Sequence, residues 1–174
     1  MPDTGFLFTG GTTTLTDVRV LRAIELIWRE ADLLDRKQYA AWNGLYAEDG
    51  VYVIPVDPSA DDFENRLNLV YDDAGMRAKR VARLTEGYSM AAVDSARTVR
   101  TVSRFVPLEV TDDLVALRAG QLLVAYKRGN HDLWAADVEY AIRLGAYPDG
   151  DLILRKVVRL VDAADILPAA GFLL

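Results

Sequence analysis

The stretch Tyr71–Phe105, YDDAGMRAKRVARLTEGYSMAAVDSARTVRTVSRF, decides how this chain is read. Asp72 or Asp73 can cap a helix reaching Leu84, in which Arg77, Lys79, Arg80 and Arg83 alternate with Met76, Val81 and Leu84. That is an amphipathic basic helix with an acidic cap at its positive end. Gly87–Tyr88 reads as a turn, and a strand opens at Arg97 with Thr98, Arg100, Val102 and Ser103.

Upstream, a helix begins near Thr16, a plausible N-cap, with Asp17 beside it. Val20, Ile24, Ile27, Ala31 and Leu34 recur at spacings of four and three, joined by Leu21 and Trp28, as one wide apolar stripe. Glu25 with Arg29 and Asp32 with Arg36 are opposite charges four apart on the wet side. A short second helix through Tyr39, Trp42, Leu45 and Tyr46 is expected to end at Glu48-Asp49-Gly50, with a first strand from Val51 and Pro55 near its end. Residues 57–70 read as an irregular loop. Residues 1–14, rich in Gly and Thr, read as a flexible arm before a single domain over 15–174.

Downstream, Asp112-Asp113, Gly129-Asn130 and Tyr147-Pro148-Asp149-Gly150 are turn signals between long strands. The clearest alternation sets Trp134, Ala136, Val138, Tyr140, Ile142 and Leu144 against Asp137, Glu139 and Arg143. Helices followed by a meander of long strands make an α+β domain, in which a twisted, curved sheet wraps helices on its inner face.

Composition narrows the chemistry. The 174 residues suit one domain, 51% hydrophobic and 26% charged, as in a soluble globular protein. No uncharged stretch approaches the roughly 18 residues of a membrane span, and no signal peptide is evident, so the expected location is cytoplasmic. A net charge of −6 argues against nucleic acid as a partner. There is no cysteine and a single histidine, His131. Neither a Rieske cluster, with two Cys and two His, nor a two-histidine mononuclear iron site can be built from this chain.

Taken in order, Leu34-Asp35, Trp42 to Tyr46, Glu48-Asp49-Gly50, Val51-Tyr52-Val53 with Pro55, Tyr71-Asp72-Asp73, Arg80 to Leu84, Gly87-Tyr88, Arg97 to Ser103 and the apolar Gly171-Phe172-Leu173-Leu174 form a series. That series resembles the small (beta) subunits of aromatic-ring-hydroxylating dioxygenases over nearly all of the chain after residue 15. Departures fall at Asp94-Ser95-Ala96, Met90, Val99 and Arg104.

The resemblance implies the cone-shaped, cystatin-like fold of nuclear transport factor 2, ketosteroid isomerases and scytalone dehydratase, with N-terminal helices on a strongly curved antiparallel sheet. It also implies a non-catalytic structural subunit that trimerises and joins catalytic alpha subunits in a heterohexamer active in aromatic catabolism. The Rieske cluster and the mononuclear iron would belong to the alpha subunit, and this chain would hold no cofactor.

The residues themselves leave alternatives. A stand-alone dehydratase or isomerase would use Asp49 or Asp35 as base and a tyrosine such as Tyr52, with Tyr39 and Tyr88 as further pocket candidates. Those groups read first as caps and hydrogen-bonding residues, Asp49 in a helix-ending turn and the tyrosines with an apolar body inside and a hydroxyl at the rim, and a ligand-binding relative without chemistry is a third reading. His131, at a hairpin tip, reads as an exposed turn residue rather than an acid or base. Arg83, Arg97, Arg100 and Arg104, near Arg80, are candidates for a subunit interface or a solvated face.

Overall fold

The computed structural model describes residues 14–85, 96–163 and 172–174. The Gly87–Tyr88 turn and all but the last residue of the arm lie outside them. In chain order the elements are α1 (Val18–Asp35), α2 (Tyr39–Asn43), β1 (Tyr46–Pro55), β2 (Asn68–Asp72), α3 (Ala74–Thr85), β3 (Arg97–Val110), β4 (Leu114–Lys127), β5 (Asn130–Arg143), a single 3-10 turn at Pro148–Gly150, and β6 (Leu152–Leu160).

Helix α1 buries Val20, Ala23, Ile24, Ile27, Ala31 and Leu34, as its spacing predicts. The stripe is narrower than expected, since Leu21 and Trp28 are 46% and 55% exposed. Its cap is Asp17 rather than Thr16, because the Asp17 carboxylate accepts the Arg19 amide at 2.9 Å. The Arg19 guanidinium bonds the same carboxylate, and these contacts lower Asp17 to about 2. Asp32 and Arg36 pair at 2.7 Å.

Helix α2 is shorter than expected, and Tyr46 already belongs to β1. Glu48-Asp49-Gly50 is therefore an irregular stretch inside a strand and not a helix-ending turn: the register against β6 shifts between Tyr46 and Val51. Gly50 is required there, because a Cβ would meet the Ile153 oxygen at 2.6 Å. Arg77 of the basic helix is buried, and its guanidinium bonds the main-chain oxygens of Gly50, Ala47 and Asp72. It also stacks 4.5 Å from the centre of the Tyr46 ring. One arginine thus satisfies carbonyls that the bulge removes from the ladder. Asp73 caps α3, bonding the Met76 amide at 2.8 Å, while Asp72 pairs with Arg80. The end of the expected loop over 57–70 is strand, because β2 pairs antiparallel with β1.

The six strands run β2-β1-β6-β5-β4-β3, with β1–β6 the parallel pairing and the others antiparallel. Two register breaks in β3, at Ser103/Val106 and Pro107/Glu109, bend the long sheet, with Arg104 at φ 57° in the first. The β4–β5 hairpin turns on Arg128 and Gly129, both at positive φ, as a two-residue turn of this hand requires. The exposed edge of β3 is capped from α1. Asp35 accepts the Arg100 amide at 2.8 Å, and the Trp28 indole donates to the Val102 oxygen at 3.2 Å.

Trp134, Ala136, Val138, Tyr140, Ile142 and Leu144 all face the core, as the alternation predicts. No helix among the described residues is long and apolar enough to cross a membrane.

Candidate functional site

Glu30 occupies a core position of α1, three residues after Ile27 and four before Leu34, and is 1% exposed. A carboxylate there needs donors from the facing elements. Its Oε1 accepts from the Trp42 indole at 3.0 Å, the Tyr46 hydroxyl at 3.2 Å and Lys156 Nζ at 3.0 Å. Its Oε2 accepts from the Tyr140 hydroxyl at 2.9 Å and Lys156 Nζ at 3.0 Å. Lys156 shares the inner face of β6 with Val158 and Leu160, and its remaining bond goes to the main-chain oxygen of Leu174 at 2.9 Å.

Burial first, and then the negative charge of Glu30, hold the Tyr46 and Tyr140 hydroxyls well above the ordinary tyrosine value. Burial also raises Tyr52. Burial pushes Lys156 below the ordinary lysine value, against the pull of Glu30.

A second cluster lies at the end of α1. Asp35 accepts from the Thr98 hydroxyl at 2.8 Å, the Arg100 amide at 2.8 Å and Arg100 Nε at 2.9 Å. Arg100 Nη2 then reaches the Leu173 oxygen at 3.0 Å. Between the two clusters lie Leu173 and Leu174, both buried. Tyr52 donates its hydroxyl to the Leu174 oxygen at 3.0 Å, and the Leu174 amide donates back to Tyr52 Oη at 3.2 Å.

The sequence-derived candidates do not converge on one reacting group. Tyr52 is inside, its hydroxyl committed to Leu174. Asp35 is committed to Thr98 and Arg100. Asp49 is on the outside, its side chain 71% exposed and 3.6 Å from Arg143. Tyr39 is buried, and burial raises its hydroxyl. Tyr88 lies outside the described residues. His131 is exposed at the hairpin, its ring tilted against Tyr126 at 4.8 Å.

Among the arginines, Arg83, Arg97 and Arg104 are exposed. Arg104 crosses β4 over Gly120 to pair with Asp137. Arg100 is no surface candidate: its side chain is 1% exposed, drawn inward by Asp35 and Leu173. Among the described residues no group of three or more His, Asp or Glu is placed to hold a metal ion.

Sequence reasoning missed Glu30 and Lys156. The only signal was a charge at a core position of an otherwise apolar stripe, for Glu30 between Ile27 and Leu34. Tyr39, Tyr52 and Tyr88 are expected to keep their hydroxyls at a rim, and Tyr46 and Tyr140 are read only for their apolar spacing. The hydroxyls of Tyr46, Tyr52 and Tyr140 point into the core because Glu30 and Leu174 meet them there. As chemistry, the cluster is saturated. Glu30 takes five hydrogen bonds and Lys156 gives all three of its own, so neither has a lone pair or proton to spare.

Residues 29–164 match the family described as ring hydroxylating beta subunit. The chain is 27% identical over 121 residues to the small oxygenase component of the p-cumate 2,3-dioxygenase system of Pseudomonas putida, covering 68% of this chain and 67% of that one. It is 27% identical over 146 residues to the 2-halobenzoate 1,2-dioxygenase small subunit of Burkholderia cepacia, covering 80% and 87%. In fold it is similar to the crystal structure of the beta subunit of the benzoate 1,2-dioxygenase from Burkholderia mallei. The TM-score is 0.71 at 23% identity, over 92% of this chain and 100% of the other.

Proposed function

The chain belongs to the ring hydroxylating beta subunit family, and on that premise we propose that it is the structural small subunit of an aromatic-ring-hydroxylating dioxygenase. Beta subunits of oxygenase components imply an alpha-subunit partner. On this reading the chain forms a trimer that carries three alpha subunits, and the Rieske cluster and mononuclear iron reside in those partners. The whole sequence has one histidine and no cysteine, too few ligands for either centre.

The observation that carries the reading is on the outer face of the sheet. Val99, Leu122, Val124, Tyr126 and Leu133 are all exposed. They are also in register across three strands, Val99 opposite Val124 and Val124 opposite Leu133, with Arg97 opposite Tyr126. An apolar cluster bordered by an exposed arginine has the composition of an interface core and its rim. The Glu30–Lys156 cluster fits the same reading, since its polar groups are committed to one another and to the main chain.

Light scattering coupled to size exclusion tests the proposal. The chain alone should elute with the mass of three copies, and the product of co-expression with the oxygenase alpha subunit with that of three of each. A monomer that ignores the alpha subunit would overturn the reading. Val124→Asp with Leu133→Asp should abolish the trimer while leaving the circular dichroism spectrum unchanged.

A further inference from the structure

We propose that the inner face of the sheet across β3, β4 and β5 holds a binding site for a neutral, apolar molecule carrying one hydroxyl, of which phenol is the simplest example. Three side chains define it. Arg100 of β3 and Trp134 of β5 both stand opposite Leu123 of β4, and Gln121 lies one step along β4, opposite Val102 and Ala136. Gln121 is thus the diagonal neighbour of both, about 7–8 Å away and within reach of long and aromatic side chains. Arg100, Gln121 and Trp134 are 8%, 3% and 6% exposed.

Each of the three ends in a buried polar atom with no hydrogen-bond partner among the described residues: Arg100 Nη1, Gln121 Oε1 and Trp134 Nε1. Native interiors leave few such atoms, and each calls for a reason. Three of the five found among the described residues share this one patch of one face. Their side chains are held in place. Asp35 fixes Arg100 Nε at 2.9 Å and the Leu173 oxygen fixes Nη2 at 3.0 Å, which leaves Nη1 as the free arm of a fixed fork. The Trp134 ring meets Phe172 edge-on at 5.7 Å.

The balance of donors and acceptors selects the ligand. The patch offers two N–H donors and one carbonyl acceptor. A hydroxyl has two lone pairs and one proton, so its oxygen accepts from Arg100 and Trp134 while its proton goes to Gln121. A carboxylate, ketone or ether oxygen only accepts and leaves the Gln121 carbonyl unpaired, and an ammonium only donates and leaves both N–H groups unpaired. Charge also disfavours an anion, because Asp35 already balances Arg100. The surroundings set the rest of the molecule. Val102, Leu123, Ala125 and Ala136 belong to the main hydrophobic core, the two alanines offering nothing beyond Cβ, and the Trp134 and Phe172 rings supply an aromatic wall.

Phenol, and anisole, which keeps the oxygen but has no hydroxyl proton, would be titrated into the isotope-labelled full chain. The indole N–H signals of its three tryptophans are followed by NMR, that of Trp134 being identified by its loss in Trp134→Phe. Phenol should shift the Trp134 signal saturably and bind about tenfold more tightly than anisole, the worth of one hydrogen bond. Gln121→Met keeps the length of the side chain and loses the acceptor, and should bring phenol down to the affinity of anisole. No saturable shift up to the phenol concentration at which the circular dichroism spectrum changes would overturn the proposal, as would a shift confined to the other two tryptophans. Equal affinities of phenol and anisole in the wild-type chain, or a preference for phenol that survives in Gln121→Met, would equally overturn it. If Gln121→Met does not fold, the wild-type comparison of phenol with anisole decides alone.

Discussion

Lys156 of β6 binds both carboxylate oxygens of Glu30 of α1, each at 3.0 Å, with neither side chain more than 1% exposed. Removing one partner strands the other charge in the core. Lys156→Met should therefore cost about 3–5 kcal/mol of stability, whereas Glu30→Leu combined with Lys156→Met should cost clearly less than the two single changes summed. The double variant will not reach wild type, because Trp42, Tyr46 and Tyr140 lose their acceptor. Urea unfolding of the four proteins completes the cycle, and simple additivity would show that the pair is uncoupled.

Arg100 and Arg97 lie three residues apart on β3 and should fail differently. Arg100→Glu puts an acid against Asp35 in a buried setting, so it should unfold the chain or cost several kcal/mol. Arg97 is exposed, and Arg97→Glu should leave stability within about 0.5 kcal/mol while weakening self-association. Thermal melts and mass measured on the same samples distinguish the two. A folded Arg100→Glu chain that merely dissociates would contradict the placement of Arg100.

Alkaline pH should destabilise the fold through its buried tyrosines. Tyr46, Tyr52 and Tyr140 are all raised above the ordinary value of 10.0, chiefly by burial. A raised group contributes fully below the unfolded value and loses that contribution as pH rises toward the folded one. Above pH 10 stability should therefore fall, by about 1.4 kcal/mol per pH unit for each tyrosine still protonated in the native state. Lys156 runs the other way. Its folded value lies below 10.5, so its contribution is present above 10.5 and is lost as pH falls through the folded value. Tyrosinate absorbance should show these hydroxyls ionising only with unfolding, and Tyr46→Phe should flatten the alkaline limb.

Asp49→Asn and His131→Ala should leave the turnover of a reconstituted oxygenase within a few-fold of wild type. Both side chains are on the surface, Asp49 beside Arg143 and His131 beside Tyr126. Loss of a true general base would cost on the order of a hundredfold or more. Abolished turnover in an intact complex would assign chemistry to this chain.

The parts of the fold that follow a period were legible in sequence. Alternation along β5 assigned the inward face of Trp134 to Leu144, and the spacing in α1 found its buried stripe. Local signals misled where a distant partner decides the conformation. Glu48-Asp49-Gly50 looks like a helix end, yet Arg77 and the close approach of Ile153 hold it in a strand. The polar interior was hidden for the same reason. Glu30, Lys156 and Tyr140 come from one helix and two strands, and nothing local signals that they meet. Arg100 looks like its exposed neighbours, and only the position of Asp35 turns it inward.

The parallel pairing of β1 with β6 joins Tyr46 to Ile153 and Val53 to Val157, about a hundred residues apart in the chain. A ribosome must therefore release β6 as well as β1 before the centre of the sheet can close. Until then β1 and β2 have only each other, and a lone two-stranded ribbon is marginal in water. The hairpins of β3, β4 and β5 are local and can form earlier, leaving the β1 side of β6 to be filled last. During that interval the unpaired edge of β1 is open to other nascent chains. Co-translational yield should thus depend on how quickly β6 emerges, and a pause in translation just before Leu152 should lower it.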